Sequence, residues 1–204
     1  AAAFVADSFA AAGYAVAHQA YDVSGVSCEN LAVELPGTSR ATEIVIIGAH
    51  YDSVPMSPAA NDNGTGVAAL LALARRLAGT RPERTLRLVA FTNEEPPYFQ
   101  GPDMGSLRYA QRCAERKEQV VAMLSLETMG CYSDDRGTQQ FPSRILGACY
   151  PSEGNFIAIV GSEDLRPGTQ AKAAPLQLAI AEEPPPAPEP KVRPRRESQR
   201  AQTE

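Results

Sequence analysis

Six residues that could bind a metal ion or move a proton stand at the ends of predicted strands or in a loop beside one. They are one histidine and five carboxylates: His50, Asp52, Asp62, Glu94, Glu95 and Glu127. So many carboxylates cannot share a dry crevice without a cation, because like charges raise one another's pKa and oppose ionisation. A neutral nitrogen among several oxygens suits a zinc-type divalent ion, or two of them. The sequence therefore predicts a metal site if these segments meet.

Each of these residues also has a purely structural interpretation. His50 alone could be a buried histidine whose hydrogen bonds are satisfied. Asp62 and the neighbouring Asn63 could cap a helix, and Asp52 could cap a turn. The pair Glu94 and Glu95 could form a solvated turn. Glu127 is harder to explain in this way, because it follows an apolar strand. The joint occurrence of all six residues at strand ends favours the metal site over these separate interpretations.

The elements that must position these residues are strands alternating with helices. Strands are predicted at 14–23, 30–37, 43–52, 84–93, 120–128 and 155–161, and helices at 1–12, 67–79 and 104–119. This alternation implies a sheet covered by helices on both faces. In such α/β sheets the carboxyl ends of the strands form the ligand crevice. We therefore expect His50, Glu94 and Glu127 to come together there.

Length, charge and hydropathy exclude several classes of function. The 204 residues carry 19 basic and 24 acidic side chains, and the resulting charge of −5 argues against a nucleic-acid partner. No apolar run approaches the roughly 20 residues that span a bilayer, so no membrane segment is expected. The first residues lack a basic segment and do not resemble a signal peptide. Nothing in the sequence indicates the oligomeric state.

The composition changes near residue 166, where a domain boundary is predicted. We expect residues 1–165 to form one catalytic-type domain and residues 166–204 to form a proline-rich, disordered tail. The stretch 167–204 holds eight of the 17 prolines and no aromatic residue. Such a composition cannot bury enough surface to offset the entropy lost on ordering. A proline-rich binding tail is the functional alternative.

The four cysteines leave the redox compartment open. Cys28, Cys113, Cys131 and Cys149 include no CxxC pair, so a zinc finger or a thioredoxin-type motif is not expected. Free buried thiols and one or two disulfides are equally compatible with the sequence.

Five stretches of the sequence carry a family resemblance. They are GAHYDSV, ANDNGTGVAALLALAR, RTLRLVAFTNEEP, MGSLRYA and VVAMLSLETMGCYSD. Over residues 1–165 the chain resembles the zinc-dependent aminopeptidases of metallopeptidase family twenty-eight. The resemblance implies a three-layer α/β/α sandwich with a mixed twisted sheet, two zinc ions and a peptide substrate. It also suggests a secreted or periplasmic protein.

The resemblance also implies a role for each site residue. His50 and Glu127 would bind the first zinc, and Asp62 would bridge both ions. Glu95 would bind the second zinc, whereas Glu94 would be the general base. Asp52 would orient His50 without binding metal.

Two departures from the family pattern bear on activity. Better-known members have Asp where this chain has Glu127, a minor change because the carboxylate is kept. The family also supplies a histidine to the second zinc from a later segment, and this chain has only His18 and His50. The resemblance stops near residue 165, so the C-terminal part of the fold is expected to be missing through truncation or a frameshift.

We therefore expect at most one tightly held zinc ion and impaired peptidase activity. The alternative is a non-catalytic binding or structural module with the peptidase fold, which the intact Glu94 disfavours. A glutaminyl cyclase is a weaker third hypothesis, because that chemistry needs one zinc and the chain retains residues of a two-metal site.

Overall fold

A computed structural model describes residues 1–139, 141 and 144–157, without the side chains of Arg144, Leu146 and Cys149. The strands are β1 (Ala17–Val23), β2 (Val26–Leu35), β3 (Arg40–His50), β4 (Arg84–Phe91) and β5 (Gln119–Ser125). The helices are α1 (Ala2–Ala11), α2 (Gly64–Leu77), α3 (Gly105–Glu115) and the short α4 (Arg144–Cys149).

The five strands form one mixed sheet in the order β1-β2-β4-β3-β5. The hairpin of β1 and β2 pairs antiparallel, and β2 pairs antiparallel with β4. Strand β3 pairs in parallel with both β4 and β5. The carboxyl ends of β3, β4 and β5 consequently lie at one edge of the sheet.

Helices pack on both faces of the sheet, which confirms the predicted α/β/α sandwich with a mixed sheet. Alternate residues of a strand point to opposite faces, and β4 follows this rule. Its Leu88 and Ala90 belong to the core cluster beneath α1 and α2, whereas Val89 and Phe91 belong to the cluster beneath α3. The same alternation in β2 and β3 gives the sheet two separate apolar layers.

Helix α2 begins and ends where the sequence provides a cap and a glycine. The side chain of Asn63 accepts a hydrogen bond from the backbone N–H of Gly66, which satisfies one donor of the first turn. Gly79 lies just beyond the last turn with a φ of +74°, a conformation that favours glycine. Leu70, Leu71 and Ala74 face the sheet and are buried.

Strand β5 differs from the expectation of a sheet covered throughout. All seven of its residues are exposed, including the apolar Val121, Met123 and Leu124. In the described part of the chain the strand lies at the edge of the sheet, and α3 packs over the neighbouring strands instead. Hydropathy reported an apolar strand correctly but could not reveal that its position is at the edge.

The first five predicted strands and all three predicted helices agree in type with the structure, with bounds that differ by a few residues, whereas the short α4 was not predicted. Strand β2 begins at Val26, four residues before its predicted start, because a two-residue turn at Ser24 and Gly25 joins it to β1. Within the predicted strand 155–161, residues 155–157 belong to no strand. Its other residues, the boundary at 165 and the predicted tail lie outside the described residues.

Two further features concern thiols and membranes. Cys28, Cys113 and Cys131 are free thiols, and the side chain of Cys149 lies outside the described part of the chain. Among the described residues, no helix has the length and apolar character needed to cross a bilayer.

Candidate metal centre

The parallel strands β3, β4 and β5 place the predicted site residues at one edge of the sheet. His50 is the last residue of β3, Glu94 and Glu95 follow β4 by a few residues, and Glu127 lies two residues beyond β5. Asp62 comes from the loop between β3 and α2. Four separate segments thus meet at the carboxyl ends of the strands, as the sequence predicts.

The imidazole of His50 is at the centre of this group. Its Nε2 lies 3.1 Å from Asp62 Oδ1, 3.5 Å from Glu127 Oε2 and 3.7 Å from Glu94 Oε2. Ligand atoms of His50, Asp62 and Glu127 all lie within 4.8 Å of one another, and so do those of His50, Glu94 and Glu95. Each set has the nitrogen and carboxylate donors that zinc accepts.

The other ring nitrogen of His50 faces Asp52. His50 Nδ1 lies 3.2 Å from the backbone carbonyl of Asp52 and 3.5 Å from its carboxylate Oδ1. The imidazole itself is 3% exposed. A proton on Nδ1 would be held there by these oxygens, which leaves Nε2 free to face the carboxylates.

The carboxylate of Asp52 has a second set of partners that sequence reasoning missed. It accepts hydrogen bonds from the backbone N–H groups of Glu94, at 3.0 and 3.1 Å, and of Glu95, at 3.1 Å. One side chain therefore fixes both the imidazole and the backbone of the two glutamates. The sequence held no signal for this contact, because it joins two loops that meet only in the fold.

The surrounding charges shift the pKa of His50 upward. Burial opposes protonation, but the hydrogen bond to Asp52 and the charges of Glu127 and Glu94 outweigh it and raise the pKa to about 9. Burial also opposes ionisation of Asp52. Hydrogen bonds from His50 and from the N–H groups of Glu95 and Glu94 nevertheless lower its pKa.

The carboxyls of Glu94 and Glu127 have raised pKa values. Burial is the largest cause for both, and neighbouring carboxylates add to it. The charge of His50 acts in the opposite direction but does not outweigh these effects. A site that raises the pKa of its carboxyls in this way favours an additional cation.

His18, the other histidine of the chain, lies away from this site. It belongs to β1, is half exposed, and its Nδ1 lies 2.8 Å from Glu29 Oε2 on β2. The site therefore contains one imidazole, as the sequence predicts.

Asn63 contributes to the site in a way that its expected role as a helix cap does not cover. Its amide nitrogen donates to the carboxylate of Glu127 at 3.1 Å, in addition to the cap bond made by its oxygen. An asparagine directly after a candidate ligand was the available signal, but a cap explained it fully at the level of sequence.

Two cavities open beside the carboxylates. One, of about 360 Å³, reaches His50, Glu94 and Glu127 and is lined on its apolar side by Phe91 and Met123. The other, of about 610 Å³, adjoins Glu127 and is lined by residues of three loops, among them Met129, Tyr132, Phe156 and Ile157. A substrate group could enter beside the site from either cavity.

Comparison with known proteins yields a family match over most of the described domain. The model for Peptidase family M28 matches residues 30–148. The uncharacterized protein YfbL of Escherichia coli K12 is 35% identical over 180 residues, which are 84% of this chain and 54% of YfbL. The aminopeptidase YwaD of Bacillus subtilis is 36% identical over 87 residues, which are 43% of this chain and 18% of YwaD. The chain thus spans about half or less of these two relatives.

The fold also resembles that of a solved enzyme. The structure of Porphyromonas gingivalis glutaminyl cyclase superposes with a TM-score of 0.55 at 20% sequence identity, covering 67% of this chain and 54% of that one. At this identity the likeness concerns the fold alone.

Proposed function

The chain belongs to peptidase family M28, and from that premise we propose that it is a zinc-dependent exopeptidase of the aminopeptidase type. It would hydrolyse the terminal peptide bond of a peptide substrate. The observation that carries the proposal is the approach of three carboxylates to within 3.1–3.7 Å of a single imidazole nitrogen, His50 Nε2. The name of the relative YwaD supports removal of residues from the amino terminus.

The donor set fits zinc. His50, Asp62 and Glu127 would hold one ion, with a fourth position left open, as in catalytic zinc sites. Asp62 would be shared with a second ion, for which Glu95 is the other ligand. A bound zinc lowers the pKa of water and polarises a carbonyl group.

Glu94 would be the general base. A carboxylate oxygen of Glu94 lies 3.7 Å from His50 Nε2, and burial raises the pKa of this carboxyl group, which favours its acceptance of a proton. Glu94 would take a proton from the attacking water on a carboxylate oxygen and pass it to the leaving amine. Asp52 fixes the backbone of Glu94 and thus the position of that carboxylate.

We expect this chain to hold no more than one zinc ion tightly. Within the described residues, the second ion would have Asp62, shared, and Glu95 as its ligands. The chain's other histidine, His18, is engaged with Glu29. Loss of one ligand weakens a metal site strongly. Even the loss of a residue that only hydrogen-bonds to a ligand commonly lowers metal affinity by about 10–100-fold. We therefore expect slow turnover.

The test is hydrolysis of aminoacyl p-nitroanilides by the zinc-loaded chain and by its Glu94→Gln variant. The substitution removes the base but none of the first ion's ligands. We expect unchanged zinc content and a turnover lower by about 10²–10⁴-fold. Glu83→Gln, at an exposed glutamate before β4, is the matched control and should retain wild-type turnover.

Two outcomes would contradict the proposal. Equal turnover in the wild-type and Glu94→Gln proteins would remove Glu94 from the mechanism. Zinc binding without any zinc-dependent hydrolysis would favour the alternative of a non-catalytic module with the peptidase fold.

A further inference from the structure

Three side chains with a spacing of two residues tie the start of α2 to the loop that carries Glu127. We call residues 126–130 the β5 loop. Asn61 Oδ1 accepts a hydrogen bond from Gly130 N at 2.8 Å, and Thr65 Oγ1 accepts one from Met129 N at 3.0 Å. Asn63, which lies between these two residues in the sequence, makes further hydrogen bonds to the β5 loop. These hydrogen bonds hold the β5 loop against the first turn of α2 and the loop that precedes it.

Asn63 is the member of this row that contacts a candidate metal ligand. Its Nδ2 donates to the backbone carbonyl of Leu126 at 2.8 Å and to Glu127 Oε2 at 3.1 Å. Its Oδ1 accepts from Gly66 N at 3.0 Å and from Thr128 N at 3.4 Å. Asn63 itself is 1% exposed, so its amide atoms are largely shielded from water.

The oxygen and the nitrogen of the Asn63 amide have different roles. The oxygen caps α2, a function that serine or aspartate performs equally well. The nitrogen is directed at the β5 loop, where an N–H bond to an ionised carboxylate is stronger than a neutral one. The need for a cap therefore does not explain why the residue is asparagine.

Glycine at position 66 makes this approach possible. A Cβ atom there would clash with Asn63 Oδ1 and with the carbonyl oxygen of Leu126. The first turn of α2 can lie against the β5 loop because that atom is absent. Asn63 thereby comes within reach of Glu127.

We propose that Asn63 is a positioning residue, whose amide N–H holds the carboxylate of Glu127 facing His50 and Asp62 before a metal ion arrives. The proposal rests on the proposed function, in which those three residues bind zinc. Glu127 has a flexible, 44% exposed side chain. Without the bond from Asn63 it would have to be ordered at the moment of binding, which lowers affinity.

The test is the affinity for Zn²⁺ alone, measured by competition with a chromophoric chelator. Asn63→Ser keeps a cap oxygen but is too short to reach Glu127. We expect it to weaken zinc binding by about 10–100-fold. Asn61→Ser is the matched control, because it removes a hydrogen bond to the same loop without contacting any candidate ligand. It should bind zinc as the wild type does.

A double-mutant cycle separates positioning from a general structural effect. If Asn63 acts through Glu127, Asn63→Ser should cost no further zinc affinity in a Glu127→Ala background. If the Ser variant does not melt cooperatively, Asn63→Asp replaces it, since aspartate keeps the size and the cap oxygen but has no N–H donor.

The outcomes distinguish this role from the function on which it rests. Equal losses of affinity in both backgrounds, or an equal loss in Asn61→Ser, would overturn the role of Asn63 alone. Absence of zinc binding by the wild-type protein would overturn both the role and the proposed function.

Discussion

His50 is buried, yet its neighbours raise its pKa to about 9, so the imidazole holds a proton at neutral pH when no metal is bound. A zinc ion can bind Nε2 only after that proton has left. Metal binding at this residue is therefore a competition with a proton, and the competition becomes more severe as the pH falls.

Zinc affinity should consequently depend on pH. Between pH 8 and pH 6, both below the pKa of His50, we expect it to fall by about tenfold per pH unit, because one proton must be displaced for each ion bound. Calorimetric titration in buffers of different ionisation enthalpy measures the protons released. His18→Gln is the control and should leave the slope unchanged. An affinity that does not vary between these pH values would contradict the account.

The grouping of the six candidate residues at one edge of the sheet could be predicted from the sequence, because polar side chains after apolar strands stand out. The hydrogen bonds that hold these residues in place could not be predicted. The bonds from the N–H groups of Glu94 and Glu95 to Asp52, and from Asn63 to Glu127, join loops about 40 or more residues apart in sequence. Such contacts depend on loop geometry, which neither hydropathy nor spacing specifies.

At the scale of secondary-structure elements, one arginine of β4 links this strand to β2 and to the segment before β5. Arg87 donates to Glu34 on β2 at 2.6 Å and to both carboxylate oxygens of Glu118, just before β5, at 2.5 and 3.1 Å. The side chains of Arg87 and Glu118 are each 15% exposed. The hydrogen bonds from Arg87 outweigh burial and lower the pKa of Glu118.

The free energy of unfolding should depend on pH through the pair of Arg87 and Glu118. Because the pKa of Glu118 is lower in the folded than in the unfolded state, its contribution is present above the unfolded value of about 4.3 and is lost as the pH falls through the folded value. We expect Glu118→Gln to lower the free energy of unfolding at pH 7 by about 1–3 kcal/mol and to have little effect near pH 2. Urea denaturation at both pH values measures this.

Glu34→Gln provides the comparison for that experiment. Glu34 makes one bond to the same arginine and its side chain is 45% exposed, so its replacement should cost less. A Glu118→Gln variant whose destabilisation is the same at pH 2 and pH 7 would show that its ionised carboxylate does not stabilise the fold.

The strand and helix types followed from the sequence, whereas the position of each strand in the sheet did not. Residues 120–124 are apolar and the sheet was expected to be covered on both faces, but β5 lies at the edge with its side chains exposed. Periodicity reports how one strand alternates between two faces. It carries no information about which strands lie beside it.

At the scale of the whole molecule, the fold places its parallel strands so that three loops share one charged crevice. The ligands of the proposed zinc come from the ends of β3 and β5 and from the loop before α2. A metal ion bound there would link these segments and would stabilise the folded state over the unfolded one. The sandwich architecture and the family could both be inferred from the sequence, because its motifs fall at the strand ends that this architecture brings together.

Zinc retained per chain after gel filtration in zinc-free buffer, compared for the wild-type protein and His50→Ala, is the most direct test of the central claim. The account predicts one zinc ion per wild-type chain and none in His50→Ala, because that substitution removes the only imidazole of the site. His18→Ala should retain the wild-type content. No zinc in the wild type, or equal zinc in the wild type and His50→Ala, would contradict the assignment of this site, and two retained ions would contradict the predicted stoichiometry.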